Sequence, residues 1–197
     1  MFGGIGTVIG LVRALPQLLR LARSGDPHGV SLDSAATSSI VSFGWATYGV
    51  LTDQLPILLG TGSSGVIFLG VSFVAVGLGR RLKELRMAPV WLVVMVAFGG
   101  FGGADGLGLI LPVSVLAGNL PQVITAFREQ DLTGLSLSTW VFSFSDGFVW
   151  EAYALAAGDL SVAVFGILQM VTSGAIVLRR WAWSRKNETF EVAASLE

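Results

Sequence analysis

Apolar residues fall into seven runs, at about 2–22, 34–52, 56–79, 88–103, 106–127, 138–157 and 160–180, parted by short polar or glycine-rich breaks. A helix needs roughly 20 apolar residues to cross a membrane, so each run predicts one spanning helix. Between the fourth and fifth runs lies Gly99-Gly100-Phe101-Gly102-Gly103-Ala104-Asp105-Gly106, where hydropathy alone could join the two. A second regularity separates them. Leu15-Pro16-Gln17 recurs 105 positions later as Leu120-Pro121-Gln122. The same shift carries Arg23 onto Arg128, Ser31 onto Ser136, Ser38 onto Ser143, Trp45 onto Trp150 and Tyr48 onto Tyr153. A constant offset held over so many positions marks a duplicated unit. Residues 107–127 then correspond to 2–22, and the glycine patch is expected to be a turn.

The pattern predicts an all-α membrane protein of seven transmembrane helices, arranged as three, one and three. Residues 1–81 are the first three-helix repeat, 82–104 a linking helix, 105–182 the second repeat and 183–197 a cytoplasmic tail. Parity explains the linker: three spans reverse the side of the chain, and one more restores it. The two bundles are then parallel, related by an axis along the membrane normal. The tail from Asn187 is polar and is expected to be disordered.

Composition agrees. The 197 residues are 53% hydrophobic and 13% charged, with a mean hydropathy of +0.74, too little charge for a soluble domain of this length. The start, Met1-Phe2-Gly3-Gly4, has no basic n-region, so the first run reads as a retained span. There is no cysteine, which removes thiolate metal sites and cysteine nucleophiles. Basic residues gather at one set of helix ends: Arg20 and Arg23, Arg80 to Arg86, Arg128, and Arg179 to Lys186. The other ends carry Asp53, Asp105 and Asp159. The positive-inside rule places the N-terminus outside and the C-terminus in the cytoplasm, in a plasma membrane.

Candidate chemistry sits inside the spans. Pro16 and Pro121 each interrupt a helix, and the neighbouring Gln17 and Gln122 can satisfy the freed carbonyl, which makes both pairs candidate hinges. Trp45 and Trp150 lie near mid-span, away from the interfacial belt where membrane tryptophans concentrate, and suit stacking on a small ring. Arg13 and Asp146 lie at similar depth, roughly 12 Å from the cytoplasmic end, and are expected to face each other as an inner gate or as part of the substrate site. Ser143 shares the Asp146–Trp150 face. Tyr48, Tyr153, Asp53 and Asp159 are candidates for an outer constriction. His28, the one histidine, has no partner cluster, so no metal is expected. No nucleophile–base–acid set or phosphate loop is present, which argues against an enzyme.

The three-one-three pattern, the paired Pro-Gln and the repeated Trp-x-x-Tyr resemble the PQ-loop superfamily, most closely the SWEET and SemiSWEET sugar transporters, over roughly residues 5–180. The resemblance implies two triple-helix bundles around a central solute site, worked by alternating access without ATP or a cofactor. It implies a pocket lined by Trp45 and Trp150, and by an asparagine 16 residues beyond each. Here those positions are Thr61 and Gly166, so the sugar-binding amides are missing, and Gln169 could replace one in part. The expected partner is a small polar solute, with a sugar favoured. The alternatives are a proton-coupled carrier of an amino acid or other charged metabolite, as in cystinosin-like members, and a ligand-sensing receptor on the same fold. Partners beyond the solute and the lipid bilayer are limited to a possible homo-oligomer, and no nucleic acid is expected.

Overall fold

The computed structural model describes residues 4, 8, 15, 17–28 and 30–194, with side chains as far as 185. Among these residues all regular structure is helical. Residues 17–24 are the described part of α1. There follow α2 (Leu32–Leu51), α3 (Leu55–Gly77), α4 (Met87–Ile110), α5 (Val113–Arg128), α6 (Leu137–Ala157) and α7 (Leu160–Ala194). One 3₁₀ turn, Leu82–Glu84, precedes α4.

Among the described residues three helical stretches are long and apolar enough to cross a membrane: Leu55–Gly77, Met87–Arg128 and Leu160–Arg185. The middle one has 42 residues. Unbroken, it would run about 63 Å, twice the ~30 Å hydrocarbon core. It is broken at Gly103, whose φ of 56° and ψ of −133° lie outside helical space. Beyond the break the chain returns so closely that a Cβ on Gly106 would collide with the Phe98 carbonyl oxygen. The break falls inside the glycine patch, where the duplication requires a turn. The expected fifth run, 106–127, is itself divided: residues up to Ile110 close α4, and α5 opens behind Pro112. Pro112 has helical dihedrals (φ −59°, ψ −32°) but no N–H to continue the hydrogen-bond ladder.

The 105-residue offset recurs in the helix starts. The starts of α2 and α6, and those of α3 and α7, differ by the same 105 positions. Ser31 caps α2 by accepting from the Ser34 N–H at 3.2 Å. Ser136 caps α6 by accepting from Thr139 at 3.4 Å. These are the hydroxyls that the sequence places one residue before each helix. At the other end the chain turns through left-handed backbone at Asp53 (φ 55°) in the first copy and Gly158 (φ 70°) in the second. Those positions also differ by 105.

Two compact units divide at Leu111 and Pro112. In the first, α2 packs against both α3 and α4. Leu21 of α1 joins Val30, Leu32, Ala35, Val71 and Ala75 in a buried cluster. Gly44 lets the Met95 sulfur and the Leu111 side chain approach α2, each about where a Cβ would stand (2.8 and 3.0 Å). Asp33, at the start of α2, caps α4. Its carboxylate accepts from the N–H groups of Arg86 (2.8 Å), Met87 (2.9 Å) and Ala88 (3.0 Å). In the second unit α7 packs against both α5 and α6. Exposed Leu55, Phe73, Val93, Phe101 and Leu160 are the outward face expected of helices in lipid.

At its basic end α7 continues beyond the span to Ala194, so residues 187–194 are helical where the sequence suggested disorder. Elongating an existing helix avoids the nucleation cost that an isolated segment would meet. The basic end of the span itself holds the loop between α5 and α6. Trp183 Nε1 donates to the Gln130 carbonyl at 2.7 Å, and Arg180 Nε to that of Leu135 at 3.3 Å. The Arg180 guanidinium also lies 4.4 Å from the Trp183 ring centroid.

Candidate functional site

The second unit carries a polar seam between α5 and α7 in otherwise apolar surroundings. On α5, Val115 and Ala126 are buried and Asn119 and Val123 half-buried, which puts all four on the face turned to α7. On α7, Val162, Gly166, Gln169, Ser173 and Ile176 form one buried stripe. Asn119 joins the two helices. Its side-chain nitrogen donates to Gln169 Oε1 at 3.0 Å and to Thr172 Oγ1 at 2.8 Å. Thr172 Oγ1 donates in turn to the Leu168 carbonyl at 2.7 Å. Ser173 is fully buried, and its hydroxyl has no hydrogen-bond partner among the described residues.

On α6, Ser143, Asp146 and Trp150 are all buried, Asp146 to 6% exposure. They lie at positions i, i+3 and i+7, one face of the helix as the sequence suggested. Gly147 lets that helix touch α7, because a Cβ there would meet Met170 and Gln169 within 3.1 Å. Gly166 packs against α6 in the same way: a Cβ would stand 2.8 Å from Glu151 Oε2 and 2.9 Å from the Glu151 nitrogen. That Glu151 oxygen is enclosed and has no hydrogen-bond partner among the described residues. Gly166 is thus a contact between helices, which explains why no side chain stands at that position.

The duplicated aromatics adopt one geometry twice. Trp45 packs edge-on against Tyr48, with ring centroids 5.6 Å apart and planes at 86°. Trp150 and Tyr153 do the same at 5.7 Å and 83°. Both indoles are buried. Tyr48 is buried and Tyr153 half-buried, each one turn beyond its tryptophan.

The remaining candidates are accounted for locally. Thr61 Oγ1 donates to the Ile57 carbonyl of its own helix at 2.6 Å. Asp159 Oδ1 accepts from the Val162 N–H at 2.9 Å and so caps α7, while Asp53 occupies the left-handed turn before α3. Pro121 and Gln122 are on the exposed face of α5, which remains helical through the proline. Gln17 is half-buried on α1. Arg13 and Pro16 lie outside the described residues. His28 is in a loop where its N–H donates to Asp26 at 2.9 Å. No group of three or more metal-ligating side chains occurs among the described residues.

Asn119 and Thr172 carry no charge and match no polar residue in the other repeat, so neither charge nor the repeat singles them out. Their counterparts 105 positions earlier are Ala14 and Ile67, so the repeat gives no hint of them. The available signal was an amide inside an apolar run, which at that depth needs a partner.

No family model matches the chain. A comparison with curated proteins finds the Uncharacterized protein MJ0110 of Methanocaldococcus jannaschii, 30% identical over 66 residues. The match covers 33% of this chain and 70% of the archaeal protein, and is shorter than one repeat.

Proposed function

The chain belongs to one family with the archaeal protein MJ0110, and we propose that it is a membrane transporter that moves a small polar solute by alternating access. One observation carries the reading. A hydrogen-bonded amide and hydroxyl network, Asn119 with Gln169 and Thr172, lies within helices whose outward residues are apolar. Such groups are costly in lipid unless paired, and an amide end left over from the pairing suits a polar route. Helix starts repeated at 105 positions and two matching Trp–Tyr pairs support the further reading as a PQ-loop, SWEET-like carrier of seven spans in three-one-three order. The break at Gly103 supports counting Met87–Arg128 as two spans. The basic helix ends support an outside N-terminus and a cytoplasmic C-terminus in the plasma membrane. A neutral sugar is the favoured substrate class.

A second reading rests on buried Asp146. A carboxylate at that depth suits proton coupling or a charged solute such as an amino acid. Uptake of labelled sugars and amino acids into proteoliposomes, with and without an imposed pH gradient, separates the readings. Equilibration of a neutral sugar supports the first, and gradient-driven accumulation supports the second. Binding without flux of any solute would overturn both in favour of a receptor.

A further inference from the structure

The Asn119 network has a polarity fixed by one backbone atom. The Leu168 carbonyl can only accept, so Thr172 Oγ1 spends its hydrogen there, at 2.7 Å. The Thr172 oxygen must then accept from Asn119, which turns the Asn119 nitrogen toward it. The other hydrogen of that nitrogen goes to Gln169, which turns Oε1 inward. Both amide orientations follow from hydrogen-bonding logic. Two ends remain unused, the acceptor Asn119 Oδ1 and the donor Gln169 Nε2, and neither makes a hydrogen bond among the described residues.

Asn119 is half-buried, and Gln169 keeps 6% of its surface exposed. Asn119 lies nine residues before Arg128, and Gln169 ten before Arg179, which puts both roughly 15 Å from the basic helix ends, near the middle of the hydrocarbon core. An unpaired donor and acceptor are strongly disfavoured against lipid at that depth. They suit a water-filled route or a ligand. The first copy has no equivalent: Ala14 and Ile67 replace Asn119 and Thr172, and Ser64, in the place of Gln169, donates to its own Gly60 carbonyl at 2.9 Å.

We propose that Asn119 Oδ1 and Gln169 Nε2, oriented by Thr172, form a recognition site in the second repeat for an uncharged group that offers one donor and one acceptor, a pair of hydroxyls or a carboxamide. Its part in solute flux rests on the transporter reading above, but its capacity to bind does not. A ligand held here is gripped by one repeat only, so recognition is asymmetric although the scaffold is duplicated.

The discriminating variant is Gln169→Glu. It keeps an oxygen to accept from Asn119, so the helix contact survives, but it replaces the free donor with an acceptor. Asn119→Leu removes the contact and the free acceptor together. Full-length protein is measured for thermal stabilisation by D-glucose and, separately, by L-glutamine, and for proteoliposome uptake of both. The expected result is a wild-type shift with at least one probe. At a pH where the introduced carboxyl is ionised, Q169E should weaken that shift and any uptake at least about tenfold. The probe that binds distinguishes hydroxyl from amide recognition. Equal ligand response in wild type and Q169E would overturn the site while leaving transport intact. Binding lost in Q169E where the wild type shows no flux would uphold the site and overturn the transporter reading. A wild type that responds to neither probe in either assay would overturn the site.

Discussion

Single residues in this protein do work that their chemistry makes specific. Asp33 receives three backbone N–H groups from the first turn of α4. Its partial burial would raise the carboxyl pKa. The N–H groups of Ala88, Met87 and Arg86, helped by the Arg86 charge, outweigh that and hold it below the ordinary 3.8. A depressed folded-state pKa contributes stability that is present above the unfolded value and lost as pH falls through the folded one. Wild-type Tm should therefore drop on acidification below about pH 4, and Asp33→Asn should flatten that part of the profile. Asp33→Ala should cost about 0.5–2 kcal/mol at neutral pH, read from thermal melts in detergent. Gly103 and Gly106 make the tight reversal within Met87–Arg128. Gly103→Ala should cost about 1–3 kcal/mol, because its φ and ψ belong to backbone that only glycine adopts readily. The same melts test it, and an unchanged Tm would mean that the break lies elsewhere. For Asp146, replacement by Asn should lower uptake at least about tenfold in the proteoliposome assay. Normal flux in that variant would remove Asp146 from the solute route.

At the scale of elements, contacts between helices depend on small residues placed where backbones meet. Gly49 admits the Leu58 nitrogen at 2.7 Å from a would-be Cβ, and Gly147 and Gly166 admit α7 and α6 to one another. The close approach sets which polar residues can meet, since Gln169 lies against Gly147 on one side and Asn119 on the other. The basic end of α7 acts on a loop in place of a helix. Trp183 donates to Gln130, and Arg179 and Arg180 reach the carbonyls of Glu129 and Leu135. Asp131 in that loop accepts from the Thr133 N–H at 2.9 Å, and this bond, with the Thr133 hydroxyl, holds its carboxyl below the ordinary range. Trp183→Leu removes the shortest of the loop bonds, a loss of about 0.5–1.5 kcal/mol. Hydrogen exchange over residues 129–136 should then quicken, with exchange in α6 unchanged. Equal rates in that loop would show that the arginines alone hold it.

For the whole molecule, duplication and divergence are separate facts. Helix starts, serine caps, turns and Trp–Tyr pairs repeat at 105 positions. The polar interior does not repeat. Asp146, Gln169 and Thr172 of the second copy answer to Val41, Ser64 and Ile67 of the first. Among the described residues the buried polar groups of the first copy are Ser39, Ser64 and Ser72, whereas the second adds a carboxylate and an amide. Transport by an asymmetric pair of this kind predicts that Asp146→Asn and Q169E weaken uptake, while Ser64→Ala, whose hydroxyl serves its own helix, leaves uptake within about twofold of wild type. Parallel uptake measurements on the three variants decide it, and equal losses in all three would make the copies equivalent.

Helix identity, the 105-residue repeat, the serine caps and the turn in the glycine patch were all legible in the chain. Each depends on local chemistry: apolar runs, a hydroxyl one residue before a helix, and glycine where backbone must leave helical space. The shared face of Ser143, Asp146 and Trp150 was legible too, because helical periodicity alone decides it. The partners of those residues were not. That Asn119 bonds to residues 50 and 53 positions away, that Asp33 caps a helix 53 positions on, and that Gly166 is filled by Glu151 depend on how helices pack. Packing brings together residues whose spacing in sequence carries no periodic mark. The order of the helices and the starts of α2, α3, α6 and α7 come from the chain itself, and the placement of its polar groups against one another comes from the fold.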